Sequence, residues 1–127
     1  MSKIVIKIDM AKYKSIDVDI NDALNILEKI KDVTQKNPSD INEVIRYINN
    51  FDEFYSYMQR KFKDYIAPPH KPDDYIKGLA FIDRVRLYKD SEGNKRIVIV
   101  FDRRVRVETL KDAIEKAGYE VEVSKEI

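Results

Sequence analysis

The sequence contains no cysteine, one histidine and only three glycines among its 127 residues. Without cysteine the chain has no disulfide framework, no thiolate metal site and no cysteine nucleophile. A single histidine excludes a histidine-based metal cluster within one chain. Because Gly78, Gly93 and Gly118 are isolated, no glycine-rich loop is present to hold a phosphate group. These absences remove most familiar catalysis and favour a binding protein that is not an enzyme and carries no cofactor.

Long apolar segments are also missing. The longest uninterrupted run, Ile97–Phe101, has the length of a strand, whereas a membrane span needs about 20 residues. Lys7 interrupts the early run Ile4–Ile6, so we see no signal-peptide core. We therefore expect a cytoplasmic protein without membrane contact. The high content of charges of both signs and the lack of cysteine are typical of thermophile proteins.

Apolar alternation predicts a first strand over Lys3–Ile8. Ile16–Ile20 also alternates, and it is either a second strand in a hairpin with the first or an extended lead into a helix. Asn21 or Asp22 then offers an N-cap.

Three apolar stripes at helical spacing follow, and they predict three helices. The first ends near Pro38, the second is capped by Ser39 and the third by Asn50. The stripe of the third helix includes Phe62 and Tyr65. The second and third stripes are also compatible with one bent helix.

The last third of the chain has the clearest pattern. It predicts a strand over Leu79–Tyr88, a second strand over Arg96–Asp102 and a helix that begins near Val107. Gly118 ends this helix, and a last strand contains Val121 and Val123.

This element order predicts an α+β fold of the ferredoxin-like type (βαββαβ) with an antiparallel sheet. An expanded helical layer is inserted after the first strand or hairpin. In this arrangement we expect the first strand and Arg96–Asp102 to be parallel neighbours. Residues 1–127 would form one domain, with the helical insertion at about 21–66 and a proline-rich connector at 67–74. We expect a homodimer formed through a sheet edge or the helical layer.

The segment Val107–Val123, VETLKDAIEKAGYEVEV, resembles the closing helix and strand of heavy-metal-associated domains. The metal-binding Cys-x-x-Cys of that family is absent here. The resemblance therefore implies a fold and not the carriage of a metal, and this fold supports many functions.

The net charge of +1 hides an uneven distribution. The net charge is −2 over residues 1–59, +6 over residues 60–106 and −3 over the remainder. Seven of the eight arginines lie in the middle block. In the strand Leu79–Tyr88, alternation places Arg84, Arg86 and Tyr88 on one face together with Ile82. Guanidinium groups bind phosphates and a tyrosine ring stacks on a base, so this face is a candidate platform for nucleic acid.

Two further groups of residues extend this candidate site. Arg103, Arg104 and Arg106 precede a helix N-terminus, where phosphate binding is favourable. Tyr57, with Arg60 and Lys61, is expected on the surface of the third predicted helix. The alternative is that these arginines cover a solvated face and pair with nearby acids, for example with Asp102, Glu108 and Asp112.

Asp9 and Asp102 end two predicted strands, and paired carboxylates at strand ends are able to hold Mg²⁺ for phosphodiester chemistry. The position of Asp9 after the first predicted strand resembles the position of an aspartate in small CRISPR-associated nucleases with ferredoxin-like folds. Aspartate at a strand end is also a common turn former, which is the alternative we favour. His70, in a proline-rich segment, is expected to be an exposed loop histidine without a role.

The function predicted from the sequence is the binding of single-stranded DNA or RNA without catalysis. The alternative is a protein-interaction module, such as an inhibitor or an assembly subunit. The composition resembles that of small proteins from hyperthermophilic archaea and their viruses. A Mg²⁺-dependent nuclease at Asp9 and Asp102 is the third hypothesis.

Overall fold

The fold is α+β, as predicted, with a five-stranded mixed open sheet and five helices in residues 4–124, the part of the chain that the computed structural model describes. Lys3, which we placed in the first predicted strand, lies outside the described residues. The strands are β1 (Val5–Asp9), β2 (Ser15–Asp19), β3 (Ile82–Lys89), β4 (Lys95–Phe101) and β5 (Glu120–Ser124). The helices are α1 (Ile20–Thr34), α2 (Ser39–Asn49), α3 (Phe51–Arg60), α4 (Pro72–Ile76) and α5 (Val107–Lys116). Among residues 4–124, no helix has the length and apolar character needed to cross a membrane.

The segment Ser15–Asp19 is a strand, the first of the two alternatives that the sequence left open. β2 pairs antiparallel with β1, where Asp9 lies opposite Ser15, and on its other side with β4. The strand order is β3-β4-β2-β1-β5. The expected pairing of the first strand with Arg96–Asp102 is therefore wrong, because β2 lies between them.

The antiparallel pairing that we predicted is found in three of the four strand pairs, and the fourth pair makes the sheet mixed. β5 lies parallel to β1, with Val5 opposite Glu120 and Asp9 opposite Ser124. The cause is the connection through α5, which carries the chain back across the sheet so that β5 runs in the same direction as β4.

The helices cover one face of the sheet, and the other face is open. In β1, Ile6 and Ile8 are buried while Val5, Lys7 and Asp9 are exposed. The other strands alternate in the same way. The buried side chains of the sheet pack against the apolar stripes of the helices and form one core with them. Burial of each large aliphatic side chain contributes roughly 1.5–3 kcal/mol relative to exposure. The fully buried isoleucines among the described residues are Ile8, Ile16, Ile26, Ile30, Ile41, Ile82, Ile97, Ile99 and Ile114.

The helix starts differ from the predicted caps. Asp19 caps α1, because its carboxylate accepts a hydrogen bond from the N–H of Asn21 at 2.8 Å. At α2 the N-cap position belongs to Pro38 and Ser39 is the first helical residue. Asn50 occupies the N-cap of α3 without a side-chain cap bond, and it divides α2 from α3.

α3 ends at Arg60, earlier than its apolar spacing predicted. The chain turns at Phe62, which has a φ of 52°. Phe62 is 96% exposed and Tyr65 is 38% exposed, so their predicted place on the core stripe is wrong. The apolar spacing of α3 continues in the sequence beyond Arg60, but the backbone is no longer helical there.

Asp40, in the first turn of α2, is a fully buried carboxylate that joins three segments. Its Oδ1 accepts from the N–H of Ile41 at 2.7 Å, and its Oδ2 accepts from those of Phe81 and Ile82 at 2.7 and 2.8 Å. The Nε2 of His70 lies 2.9 Å from the same Oδ2, and this side chain is only 12% exposed. His70 therefore fixes the proline-rich connector to the helical layer, and its prediction as an exposed loop residue is wrong.

β3 begins with an irregular pairing to β4 between Ile82 and Arg84. As a result, Ile82 and Val85 are both buried in the core. The alternation that places Arg84, Arg86 and Tyr88 on the open face starts only after this irregularity. The predicted sharing of a face by Ile82 and these residues is therefore wrong.

Tyr47 of α2 is 4% exposed, and its ring centroid lies 4.6 Å from that of Phe54. Burial, followed by the negative charge of Glu43, raises the pKa of Tyr47 to about 12. We expect an alkaline titration of phenolate absorbance to show a last ionisation near that pH, and Tyr47→Phe to remove it. Because unfolded tyrosine ionises near pH 10, the stability linked to Tyr47 is complete below about pH 10 and is lost as the pH rises from there towards 12. Ionisation of every tyrosine near pH 10 in the folded protein would contradict this assignment.

Candidate functional site

Arg84 lies between two tyrosine rings on the open face of the sheet. Its guanidinium carbon is 4.6 Å from the ring centroid of Tyr13, in the turn between β1 and β2, and 4.9 Å from that of Tyr65. Its Nη1 also donates to Asp83 at 2.7 Å. Three distant segments of the chain thus meet at Arg84, held by cation–π contacts and one surface ion pair.

Further along β3, Arg86 and Tyr88 follow Arg84 on the same face. The hydroxyl of Tyr88 donates to the carboxylate of Asp17 at 2.6 Å, and Arg96 contacts the same carboxylate at 3.2 Å. Burial, followed by this hydrogen bond to Asp17, raises the pKa of Tyr88 above its ordinary value. Tyr88 is therefore a neutral, well-positioned ring, and the guanidinium carbon of Arg86 lies 5.9 Å from its centroid.

A cavity of about 550 Å³ lies at the Arg84 end of β3, between the β1–β2 turn and the loop from β4 to α5. The Nζ of Lys14 donates to the carbonyl of Arg103 at 2.9 Å and ties the two loops together. Interaction with the Arg84 guanidinium, and then the charge of Lys12, lowers the pKa of Tyr13. The charged and aromatic lining residues are Lys12, Tyr13, Lys14, Tyr75, Asp83, Phe101, Asp102, Arg103 and Arg104.

A groove of about 510 Å³ lies at the other end of β3, against the C-terminal end of α3. Arg86, Tyr88 and Lys89 of β3 form one side, and Gln59, Phe62, Lys63 and Asp64 contribute to the other. The Nζ of Lys89 lies 5.1 Å from the ring centroid of Tyr55, which also lines the groove. We call the cavity, the open face of β3 from Arg84 to Tyr88 and the groove together the β3 track.

The alternative reading, in which the basic residues pair with acids, applies to some of them and not to others. Arg84 pairs with Asp83, and Arg104 pairs with Asp102 at 3.2 Å while its guanidinium carbon lies 4.9 Å from the Tyr75 ring centroid. Lys14 has no acid partner among residues 4–124 and donates instead to the carbonyl of Arg103. Among residues 4–124, five further cations along the β3 track have no carboxylate within 4.0 Å. They are Lys12, Lys63, Arg86, Lys89 and Arg103.

Four predicted site residues lie off the β3 track. Arg106 is the N-cap of α5, as predicted, but it lines a different cavity that also includes Lys36. Arg60 and Lys61 are exposed at the end of α3 without lining the groove. Tyr57 is half-buried and packs against the core, so it is not the surface ring that we expected.

Asp9 and Asp102 are not neighbours, because β2 separates the strands that they follow. Two strand spacings separate their backbones by about 9.6 Å, and both carboxylates accept hydrogen bonds from their own loops. Each forms a turn instead: Asp9 accepts from the N–H of Ala11 and Asp102 from that of Arg104, both at 2.9 Å. In residues 4–124 no group of three or more His, Cys, Asp or Glu side chains is arranged to hold a metal.

Several residues of the β3 track were not foreseen from the sequence. Lys12-Tyr13-Lys14 has a local signal, since an aromatic residue between two cations is typical of nucleic-acid contacts. Tyr65 and Tyr75 have no such signal, because only the return of the connector to β3 brings them near. Ile66 makes that return, with two backbone hydrogen bonds to Val85 at 2.8 and 2.9 Å.

Comparison of the chain with protein-family models, with curated proteins and with solved structures finds no match.

Proposed function

We propose that this protein binds single-stranded DNA or RNA along the β3 track and is not an enzyme. The observation that carries the proposal is the set of five cations without acid partners at the cavity and the groove. A surface cation without an acid partner is commonly isolated from other such cations and contacts only solvent. Here they lie at the two ends of one strand that itself presents Arg84, Arg86 and Tyr88, so a polyanion is the ligand that fits them together.

The chemistry of the track suits a flexible single strand. Phosphates would contact the lysine and arginine side chains, while bases stack on exposed tyrosine rings such as Tyr13. β3 spans about 23 Å, which is long enough for several nucleotides. A duplex keeps its bases stacked on each other and would leave the rings without partners.

The charge distribution would also orient the bound single-stranded nucleic acid. β5 forms the opposite edge of the sheet and exposes Glu120 and Glu122. The strands of the basic block, β3 and β4, and the strand of the acidic C-terminal block, β5, therefore lie at opposite edges of the sheet. A nucleic acid is attracted to the β3 edge and repelled from the β5 edge, which confines it to one side of the molecule.

The direct test is a fluorescence-anisotropy titration of a labelled 20-nucleotide oligothymidine with the full chain. We expect saturable binding at low salt that weakens steeply as NaCl is added. Five phosphate contacts at about −0.7 each predict a slope of log K against log salt concentration of about −3.5. Duplex DNA of equal length serves as the comparison and is expected to bind more weakly.

A complete lack of oligothymidine and oligouridine binding at low salt would overturn the proposal. The protein-interaction module would then be the better hypothesis, because the exposed Phe62 and Ile76 are apolar side chains of the kind that partners cover.

For the fold, we propose a ferredoxin-like arrangement with β1 as an addition. Without β1 the chain order is strand–helices–strand–strand–helix–strand, in which β2 takes the first position and β5 the last. This fold supports many functions, so it neither favours nor opposes nucleic-acid binding.

A further inference from the structure

Phe62 occupies a position where a phenylalanine has no structural reason to be. Its side chain is 96% exposed, so it contributes almost nothing to the core. Its φ of 52° lies in the left-handed region, which bulky L residues rarely adopt. The ring therefore gains no burial that would offset an unfavourable backbone conformation.

The end of α3 shows why the backbone takes this conformation. The N–H of Phe62 donates to the carbonyl of Gln59 at 3.3 Å, and that of Lys63 donates to Met58 at 3.0 Å. This pair of bonds is the Schellman motif, which requires a left-handed residue after the helix and strongly favours glycine there. The motif fixes the conformation of residue 62, but it does not favour a phenylalanine.

Two other helices of the same protein end with this motif and allow a comparison. At α5 the left-handed residue is Gly118, with a φ of 103°. At α1 it is Gln35, whose side-chain amide donates to the carbonyl of Asp32 at 2.8 Å and so adds a hydrogen bond at the helix end. At α3 the ring of Phe62 extends into solvent instead. A local preference that is broken without compensation points to a functional use.

The surroundings of Phe62 indicate what its ring contacts. Phe62 lines the groove together with the cations Lys63, Arg86 and Lys89. None of these three has a carboxylate partner within 4.0 Å among residues 4–124, and Asp64 is the acid that lines the groove. An exposed aromatic face beside three free cations matches a phosphate-linked base better than it matches an apolar peptide.

We infer that Phe62 is the stacking platform for an unpaired nucleobase of a single strand whose phosphates bind the groove cations. This inference rests on the proposed function and adds a residue that the sequence pattern had assigned to the core. The left-handed turn holds the ring away from the rest of the protein, so its faces are open to a base. Stacking on an aromatic ring tolerates any base, because each base has a π-face.

A tryptophan reporter tests the stacking directly, because the chain contains no tryptophan of its own. In Phe62→Trp, titration with oligothymidine is expected to quench the fluorescence of the introduced tryptophan with the midpoint found by anisotropy. Glu115→Trp, at an exposed position of α5, is the matched control and is expected to show no quenching. Inorganic polyphosphate, which has phosphates but no bases, is expected to compete for the groove without quenching.

Phe62→Gly separates binding from folding. Glycine suits the left-handed position, so the midpoint of thermal unfolding is expected to rise by roughly 2–5 °C. The affinity for oligothymidine is expected to fall about 10-fold, the size of one lost base–aromatic stack. A variant that is more stable but binds more weakly cannot owe its loss of affinity to misfolding.

The outcomes distinguish this inference from the proposed function. If the unmodified protein binds no oligonucleotide, the proposed function fails and the inference fails with it. If the protein binds but Phe62→Gly keeps full affinity and Phe62→Trp is not quenched, the inference alone is overturned.

Discussion

Replacing Asp40 with alanine is expected to lower the free energy of unfolding by about 4 kcal/mol. The substitution leaves the buried N–H groups of Phe81 and Ile82 without an acceptor and removes the partner of His70. Each buried donor without a partner costs about 1–3 kcal/mol. The free energy of unfolding of small domains is about 5–15 kcal/mol, so this one carboxylate contributes a large share of the stability.

Urea unfolding followed by circular dichroism measures the effect. Asp40→Asn keeps one carbonyl oxygen as an acceptor, so we expect a loss of about half that of Asp40→Ala. Asp73→Ala is the matched control, because the Asp73 side chain is 72% exposed and, within residues 4–124, forms an ion pair only with Lys77, at 3.9 Å. A loss below about 1 kcal/mol for Asp40→Ala would show that water or local rearrangement satisfies these donors.

The double variant Arg86→Gln, Arg103→Gln is expected to weaken oligothymidine binding about 60-fold at 50 mM NaCl. A phosphate contact with a salt slope of about 0.7 contributes roughly eightfold between 1 M and 50 mM salt, so two lost contacts multiply to this value. The salt slope is expected to become about 1.4 less steep. Because both side chains are exposed and unpaired with acids in residues 4–124, the thermal midpoint should change little.

The control for this experiment has the same change in net charge at a different place. Lys111→Gln, Lys116→Gln removes two exposed cations from α5, which packs on the other face of the sheet. We expect its affinity to stay within about twofold of the unmodified protein. Equal losses in the two double variants would indicate attraction by net charge alone and would contradict a localised site.

Much of the local structure was predictable, because it depends on short-range periodicity. The hairpin of β3 and β4, the helix from Val107 and the position of Arg106 at its start follow from patterns within a few residues. The position of Arg84 and Arg86 on one face of β3 also follows from the sequence, because the alternation of that strand turns both away from the core.

The remaining features depend on distant partners. No local pattern distinguishes Asp40 from an ordinary acidic residue in a first helical turn, because its role depends on backbone groups some 40 residues away. Phe62 continues an apolar stripe, and only the point at which α3 ends decides that it faces solvent. The partners of β1 could not be predicted either, because several strands of the chain show the same apolar alternation and a local pattern does not say which of them lies beside β1.

The position of β1 has a consequence for the order in which the sheet assembles. Val5 lies opposite Glu120, although almost the whole chain separates them. Contacts of such long range raise the contact order and slow the search for the native pairing. Until β5 docks, β1 is a bare strand edge of alternating apolar residues, open to the same edge of another folding molecule. We therefore expect the arrival of the last strand beside the first to be a slow stage of folding, and one open to misassembly at high protein concentration.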